Sequence, residues 1–237
     1  MMKVMVLGAT GATGQGVVKQ LLDADIDVAA LVRDTDVLGE HPRLQQIAAT
    51  ALSMEPTELE QLVGNSDAII CCLGHNLTLQ GVYGAPRMLV RDSLRRIISS
   101  VDKQRSQPLK LVLMSSTGVR NVVAQERIPT LETALNFLLR WLLPPHRDNE
   151  QAAKLLHSQE INNTSLEWVM VRPDTLIDRS EVSQYDWFVS PTRSALFDAG
   201  ETSRINVANA MYRLVSDESL WRQWKGKSPV IYNQQTE

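Results

Sequence analysis

The chain has 237 residues, of which 43% are hydrophobic and 22% charged, and its formal net charge is −3 at pH 7. This weak negative balance argues against a general affinity for nucleic acid or for an anionic membrane surface. The length suits one domain that buries most of its apolar surface. The two cysteines, Cys71 and Cys72, are neighbours in an apolar run. That position disfavours a structural disulfide, and we expect a cytoplasmic protein.

The first sixteen residues combine an apolar strand, a glycine turn and the start of a helix. Residues 4–7 form a continuous apolar run, as expected of a parallel strand that is covered on both faces. Gly8, Gly11 and Gly14 follow, and residues 17–22 have the spacing of a helix with one apolar face. Glycine permits a tight turn, and a helix N-terminus attracts phosphate. The pattern predicts a dinucleotide site, with a glycine turn that binds no ligand as the alternative.

The end of the second predicted strand, residues 27–32, bears on the type of dinucleotide. Sites that select NAD place an acidic side chain near this point, whereas an arginine can pair with the 2′-phosphate of NADP. The first charged residue after the strand is Arg33. We therefore expect NADP(H), with NAD(H) as the weaker candidate. A surface role for Arg33 is the alternative, and the neighbouring Asp34 would weaken the preference for the phosphate.

The rest of the chain alternates predicted helices and strands, which indicates an α/β protein with a doubly wound parallel sheet. We predict strands over 48–52, 68–74, 110–114, 166–172 and 230–232. The predicted helices lie over 41–47, 57–63, 86–104 and 206–215, with an inserted apolar helix near 130–143 and a loop over 180–203. Thr57 should cap the helix over 57–63, and the helix over 86–104 should turn four arginines toward solvent, Arg87, Arg91, Arg95 and Arg96. The inserted helix is expected to pack in the core or at a dimer interface, or to cover the substrate.

Several residues near the ends of these strands are candidates for ligand contacts. Gly74 ends a buried strand and should lie beside the cofactor, because ligands bind at the carboxyl ends of parallel strands. The hydroxyl groups that follow Met114 should face the same crevice. The scattered histidines show no metal-ligand spacing, so we expect no metal. The aromatic residues of the loop over 180–203, which could form a substrate wall, are Tyr185, Trp187, Phe188 and Phe197.

The segments GATGATGQG, LVRD, CCLG, SSTG, LEWVMVRPDTLID and SRINVANAM together resemble an atypical short-chain dehydrogenase of the NAD(P)H-binding, NmrA-like group. Within that group, the length and order of segments are similar to the biliverdin-IXβ reductase, or flavin reductase, branch. The resemblance covers nearly the whole chain and is interrupted by an insertion around residues 120–145. It implies a single Rossmann-like domain over residues 1–237, with a C-terminal substrate-side segment over 174–237.

The resemblance also implies roles for individual residues. Ser116 matches a hydroxyl position near the nicotinamide. Together, the glycine turn and the resemblance predict contacts with the pyrophosphate, the 2′-phosphate, the adenosine half and the nicotinamide amide. These cofactor-binding residues are Gly8, Thr10, Gly11, Ala12, Thr13, Gly14, Arg33, Leu73, Gly74, Pro173, Thr175 and Leu176.

One departure from ordinary short-chain dehydrogenases concerns the catalytic residues. Those enzymes use a Tyr and a Lys separated by three residues, and no Tyr-x-x-x-Lys occurs in this chain. The same spacing is filled by His146 and Glu150 at the start of a helix. Histidine can donate a proton near neutral pH, so Ser116 and His146 are the catalytic candidates. A polar surface role for His146 is the alternative.

Two functions remain open from the sequence. The first is an NADPH-dependent oxidoreductase that transfers a hydride to a small flat conjugated acceptor, such as a flavin, a quinone or a tetrapyrrole. The second is a non-enzymatic NADP(H)-binding redox sensor of the NmrA type. We expect a monomer or a homodimer, with no nucleic-acid or membrane partner.

Overall fold

Ten strands and six helices are present in the computed structural model, which describes residues 1–35, 37–74, 84–119, 126, 144–159, 164–194 and 198–234. The strands are β1 Lys3–Leu7, β2 Asp27–Val32, β3 Leu44–Ala48, β4 Ala68–Cys71, β5 Leu109–Met114, β6 Leu166–Pro173, β7 Thr175–Ile177, β8 Tyr185–Phe188, β9 Glu201–Ser203 and β10 Val230–Asn233. The helices are α1 Ala12–Asp23, α2 Pro56–Gly64, α3 Leu89–Ser99, α4 Pro144–Gln159, α5 Arg204–Ser216 and α6 Glu218–Trp224. In these described ranges, no helix is both long enough and apolar enough to cross a membrane. The helix predicted near 130–143 and the side chain of Phe197 lie outside the described residues.

Eight strands form the central sheet in the order β3-β2-β1-β4-β5-β6-β10-β8. Neighbouring strands are parallel except for the last pair, in which β8 runs antiparallel to β10. The chain order reverses at β1, which has β2 on one side and β4 on the other. Open sheets of this kind bind ligands at such a reversal, outside the carboxyl ends of the strands. The predicted doubly wound, Rossmann-like sheet is therefore confirmed.

Both faces of the sheet are covered by helices, and β1 contributes to both cores. Val4 and Val6 belong to an apolar cluster that includes residues of α1, α5 and α6. Met5 and Leu7 belong to the opposite cluster, under α2, α3 and α4. All four side chains are at most 1% exposed. This double burial explains why the strand shows no polar alternation in the sequence.

Helices α1 and α5 pack closely although they are far apart in the sequence. A methyl group added to Gly16 of α1 would lie 3.1 Å from Cβ of Ala208 in α5. Next to this contact, the side-chain amide of Asn209 donates to the Gln20 side chain over 2.8 Å. Gly16 therefore permits the close approach of α1 and α5, and the hydrogen bond between Asn209 and Gln20 helps to fix their relative position.

A buried arginine joins the loops at the carboxyl ends of β5 and β8 to β6. Arg172 of β6 is 0% exposed, and its guanidinium binds both carboxylate oxygens of Glu126, at 2.6 and 3.1 Å. It also donates to the carbonyl oxygens of Val119, Ser228 and Val189, at 3.1, 2.8 and 3.4 Å. Because the ion pair is bidentate and the other N–H groups of Arg172 also have acceptors, the buried charge of Arg172 is well compensated.

The segment that leads into β3 differs from the prediction. The helix predicted over 41–47 is wrong, since a turn at His41 leads directly into β3, Leu44–Ala48. The third strand accordingly lies four residues earlier than predicted. It is an edge strand that is only half-buried, so its two glutamines are tolerated where a central strand would be apolar.

Two helix starts also differ from the prediction. Helix α2 begins at Pro56 without a side-chain cap, so the predicted cap at Thr57 is wrong. Helix α3 is shorter than predicted and begins at Leu89, where the backbone N–H groups of Val90 and Arg91 donate to Asp148 over 2.8 and 2.9 Å. A carboxylate from α4 thus caps α3, and a partner so distant in sequence gives no local signal.

The predicted loop over 180–203 contains two strands, β8 and β9. Trp187 of β8 stacks on Trp224 of α6 with ring centroids 5.6 Å apart. Tyr185 donates its hydroxyl proton to Asn209 over 2.8 Å. These two aromatic residues pack against the protein's own helices, and the substrate wall expected of this segment stays a prediction. Helix α6 was not predicted.

Candidate functional site

The glycine turn after β1 is tightly packed against the end of β4. Gly8 has a φ of +72°, and a Cβ atom there would lie 2.7 Å from the backbone carbonyl carbon of Cys72. A Cβ atom on Gly14 would lie 2.0 Å from the Gly8 oxygen. The N–H of Gly11 donates to the same oxygen over 3.1 Å and closes the turn. Side chains at positions 8 and 14 are therefore excluded by backbone packing.

The N-terminus of α1 faces this turn without competing groups. Gly11 is the N-cap residue in an extended conformation, no side chain caps the helix, and its first turn contains no acidic residue. Gln15 supports the turn from behind by donating from its side chain to the Thr10 carbonyl oxygen over 2.9 Å. The first N–H groups of an α-helix have no partner within the helix, and they bind anions readily.

A cavity of about 550 Å³ opens beside the turn. This volume lies within the range of about 300–1,000 Å³ that is usual for small-molecule sites. Its walls come from the glycine turn, the ends of β2 and β4, the segment after β3 and the start of α3. The lining residues are Leu7, Gly8, Thr10, Gly11, Leu31, Val32, Arg33, Ala49, Thr50, Ala51, Leu52, Ser53, Cys72, Leu73, Gly74, Gly84, Ala85, Pro86, Leu89 and Ser93.

Half of the predicted cofactor-binding residues line this cavity, with Arg33 exposed. These six are Gly8, Thr10, Gly11, Arg33, Leu73 and Gly74. Ala12, Thr13 and Gly14 form the first turn of α1, directly behind the glycine turn. The structure thus brings the predicted pyrophosphate and adenosine contacts together. Their binding roles stay predictions.

The segment after β3 was missed by the sequence analysis. Thr50 and Ser53 exchange hydrogen bonds of 3.0 and 3.1 Å between their hydroxyl and backbone N–H groups. Arg96 of α3 holds the segment by donating to the carbonyl oxygens of Leu52 and Met54, both over 2.6 Å. The prediction that Arg96 faces solvent is therefore wrong. Two hydroxyl residues at a turn spacing were the available signal, whereas Ser93, on the opposite wall, had none.

The two catalytic candidates lie together at the end of β5. A methyl group added to Gly118 would be 3.4 Å from Ser116 Oγ and 3.7 Å from His146 Nδ1. The other ring nitrogen of His146 lies 3.5 Å from Glu150 Oε1. The imidazole is only 15% exposed, so it is not a surface group. Because residue 118 is a glycine, a space remains between the Ser116 hydroxyl and the His146 imidazole.

The turn after β6 adjoins these groups but does not line the cavity. The Thr117 N–H donates to the Pro173 oxygen over 3.1 Å, which joins the ends of β5 and β6. Thr175 starts β7, and Leu176 packs against the core that includes α1 and α5. The residues predicted to contact the nicotinamide, Pro173, Thr175 and Leu176, therefore lie apart from this cavity, at the end of β6 and beyond it, two strands from β4 along the sheet.

A carboxyl group follows Pro173 in this turn. Asp174 accepts a hydrogen bond from the Gly200 N–H over 3.0 Å. Burial raises the pKa of the Asp174 carboxyl, while the Gly200 N–H and the Thr117 hydroxyl act in the opposite direction. No role was predicted for Asp174, because nothing in its local sequence pattern shows how far it is buried.

Cys71 and Cys72 are core residues, as predicted. Burial raises the pKa of the Cys71 thiol to about 12 and also raises that of Cys72. A thiol is nucleophilic only as the thiolate, so neither cysteine is reactive near neutral pH although Cys72 touches the cavity.

A model of an NAD(P)H-binding family matches residues 8–218. Averufin oxidase A of Aspergillus flavus is 27% identical over 190 residues, which cover 73% of this chain. The chain spans 64% of that protein's length.

Two solved structures share the fold at low sequence identity. A short-chain dehydrogenase/reductase from Veillonella parvula, solved in complex with NADP, has a TM-score of 0.71 and 17% identity, with 99% of this chain and 96% of that one covered. A Streptococcus pneumoniae protein named as a candidate NADH-flavin reductase has a TM-score of 0.71 and 15% identity, with 99% of this chain and 100% of that one covered. At these identities the likeness supports the fold alone.

Proposed function

Because the chain belongs to the NAD(P)H-binding family, we propose that it is an NADPH-dependent oxidoreductase that transfers a hydride to a flat conjugated acceptor, such as a flavin, a quinone or a tetrapyrrole. The observation that carries the proposal is the pairing of Ser116 and His146 around Gly118 at the carboxyl end of β5. Polar groups at this edge, one strand from the end of β4 that lines the cavity, suit the reacting half of a dinucleotide and its acceptor. A structural neighbour is named for flavin reduction, which agrees with this acceptor class.

The dinucleotide fits the residues that are present. The uncapped first turn of α1 supplies N–H groups for the pyrophosphate, and Gly11 leaves room for its approach. The apolar ends of β2 and β4 would hold the adenosine half within the cavity. When bound, the dihydronicotinamide supplies the hydride. Ser116 and His146 would then orient the nicotinamide amide or the acceptor.

Arg33 is proposed to select NADP(H) by pairing with the 2′-phosphate. A hydrogen bond to a charged group contributes roughly 1.5–3 kcal/mol. We therefore expect Arg33→Ala to weaken NADPH binding by about 10- to 100-fold and to leave NADH binding nearly unchanged. Calorimetric titration with each cofactor measures the two affinities.

The matched control for this prediction is Arg222→Ala. That arginine lies in α6 and is 73% exposed in a surface pair with Glu218. It should leave both affinities unchanged. Equal losses of NADPH and NADH affinity in Arg33→Ala would refute the selectivity.

Ser116 and His146 are expected to position the reactants and not to donate the essential proton. Ser116→Ala and His146→Ala should each lower kcat/KM by less than about 100-fold, the low end of a general acid–base contribution. His41→Ala, an exposed histidine ahead of β3, is the control and should have no effect. Steady-state NADPH oxidation gives the rates, and a loss near 10⁴-fold in His146→Ala with NADPH binding intact would identify a proton donor instead.

The function itself is tested by NADPH oxidation with a panel of flavins, quinones and linear tetrapyrroles. Saturable turnover of at least one acceptor class is expected. Tight NADPH binding without turnover of any acceptor would instead favour a non-enzymatic NADP(H) sensor, which the absence of a Tyr-x-x-x-Lys motif makes the second candidate.

A further inference from the structure

Reduction of a conjugated acceptor by NADPH requires a proton in addition to the hydride. The chain lacks the tyrosine and lysine that supply it in ordinary short-chain dehydrogenases. A carboxyl group, Asp174, lies at the same edge of the sheet as Ser116 and His146. Its role rests on the proposed function.

Asp174 is held in place by groups from two other segments. Its Oδ2 atom accepts the Gly200 N–H over 3.0 Å. The Thr117 hydroxyl interacts with the same carboxyl, and the Thr117 N–H donates to the Pro173 oxygen over 3.1 Å. Thr117 follows Ser116 directly in the sequence. The carboxyl and the threonine hydroxyl are therefore neighbours where the ends of β5 and β6 meet, one residue along the chain from Ser116.

The surroundings of Asp174 favour its protonated form more than bulk water does. Burial raises the pKa of the carboxyl, opposed by the N–H groups of Gly200 and Thr175, the Thr117 hydroxyl and the positive charge of Arg193. Among the described residues, Tyr232 of β10 also interacts with it, and its own pKa is raised by burial and by Asp174. Half-burial leaves the carboxyl in contact with solvent, from which it can recover a proton.

We propose that Asp174 holds the proton that accompanies the hydride and delivers it to the acceptor through the Thr117 hydroxyl. The hydroxyl gives its proton to the acceptor and takes the proton of the carboxyl, so the O–H bond of threonine is restored. The acceptor gains one hydride from NADPH and one proton, and NADP⁺ and the Asp174 carboxylate are left. Solvent then reprotonates the carboxylate, and atoms and charge balance.

The first test follows the carboxyl without cofactor. A folded-state pKa above the unfolded value means that the native state binds the proton more tightly. The contribution of Asp174 to wild-type stability should therefore be lost as pH rises through its folded pKa. Asp174→Asn lacks this group. The melting temperature of Asp174→Asn minus that of the wild type should therefore be more positive at pH 7 than at pH 3.5. Asp178→Asn, in an exposed pair with Arg204, is the control and should show no such rise. Parallel curves for Asp174→Asn and wild type would overturn the proposal.

The second test is the pH profile of turnover. In the wild type, kcat/KM should fall as pH rises through the pKa of Asp174, because the protonated form is the active one. Asp174→Asn and Thr117→Val should each lower kcat by about 100-fold or more without that pH dependence, while the KM for NADPH is retained. Thr117→Ser, which keeps the hydroxyl, and Asp178→Asn should stay near the wild-type rate.

The outcomes separate this proposal from the proposed function. Turnover by Asp174→Asn with the wild-type rate and pH profile would overturn the proton route and leave the oxidoreductase intact. Turnover of no acceptor by the wild type would overturn the oxidoreductase and the proton route with it.

Discussion

Gly11→Val is expected to lower the affinity for NADPH by more than about 100-fold while the protein stays folded. Gly11 lines the cavity and caps α1, and a Cβ atom there would lie 3.3 Å from the Gly8 oxygen. The backbone can accept this contact with a small shift, but a branched side chain would occupy the approach to the helix N-terminus. The loss of two charge-assisted hydrogen bonds, at roughly 1.5–3 kcal/mol each, accounts for the magnitude.

Calorimetry measures the affinity, and urea unfolding shows whether the fold is retained. Gly64→Val is the matched control, because nothing lies within 4 Å of a Cβ atom at that position. Gly14→Val should behave differently from both, since its Cβ atom would lie 2.0 Å from the Gly8 oxygen and the turn itself must break. Undiminished affinity in folded Gly11→Val would remove the turn from the cofactor site.

The second large effect is expected from Arg172→Ala, which should lower the free energy of unfolding by about 3–5 kcal/mol. The substitution leaves Glu126, itself 8% exposed, without its bidentate partner. It also removes the donor to the carbonyl oxygen of Ser228, ahead of β10. Buried acceptors that lose their donors carry the full cost of desolvation. Urea denaturation followed by circular dichroism measures the change.

Two further variants show whether the buried pair is the cause. Arg222→Ala removes an arginine from an exposed ion pair and should change stability by less than about 1 kcal/mol. The double variant Arg172→Ala, Glu126→Ala should be less destabilised than the sum of the two single changes, because the second substitution removes the stranded charge. Strict additivity would contradict the assignment of the energy to the pair.

The central sheet was predictable because its strands are buried on both faces. The apolar runs at 4–7 and 68–72 have no other simple interpretation, and both proved to be parallel strands. The edges were harder to predict. Strand β3 is half-buried and contains two glutamines, and β8 lies in a polar segment whose aromatic residues pack against α6. At an edge, the tertiary partner decides the conformation more than the local pattern does.

The candidate site was predictable where backbone geometry demands a particular residue. The glycines at positions 8 and 14 are required by packing against Cys72 and within the turn, and their spacing is visible in the sequence. The support from Arg96 and the burial of Asp174 were not visible. Both depend on segments that are distant in the sequence, and an arginine on a helix or an aspartate after a proline has many ordinary surface roles.

The contact between α1 and α5 has a consequence for the order of folding. The hydrogen bond between Gln20 and Asn209 closes a loop of 189 residues. Contacts of such separation form late, because the entropy of closing the loop is lost before they stabilise the chain. During synthesis, the apolar face of α1 can pack on β1 and β2, but its contact with α5 has to wait until residues 204–216 have left the ribosome. Helix α1, which follows the glycine turn, therefore keeps part of its apolar surface exposed until α5 has been made, and chaperones bind such surfaces on a nascent chain.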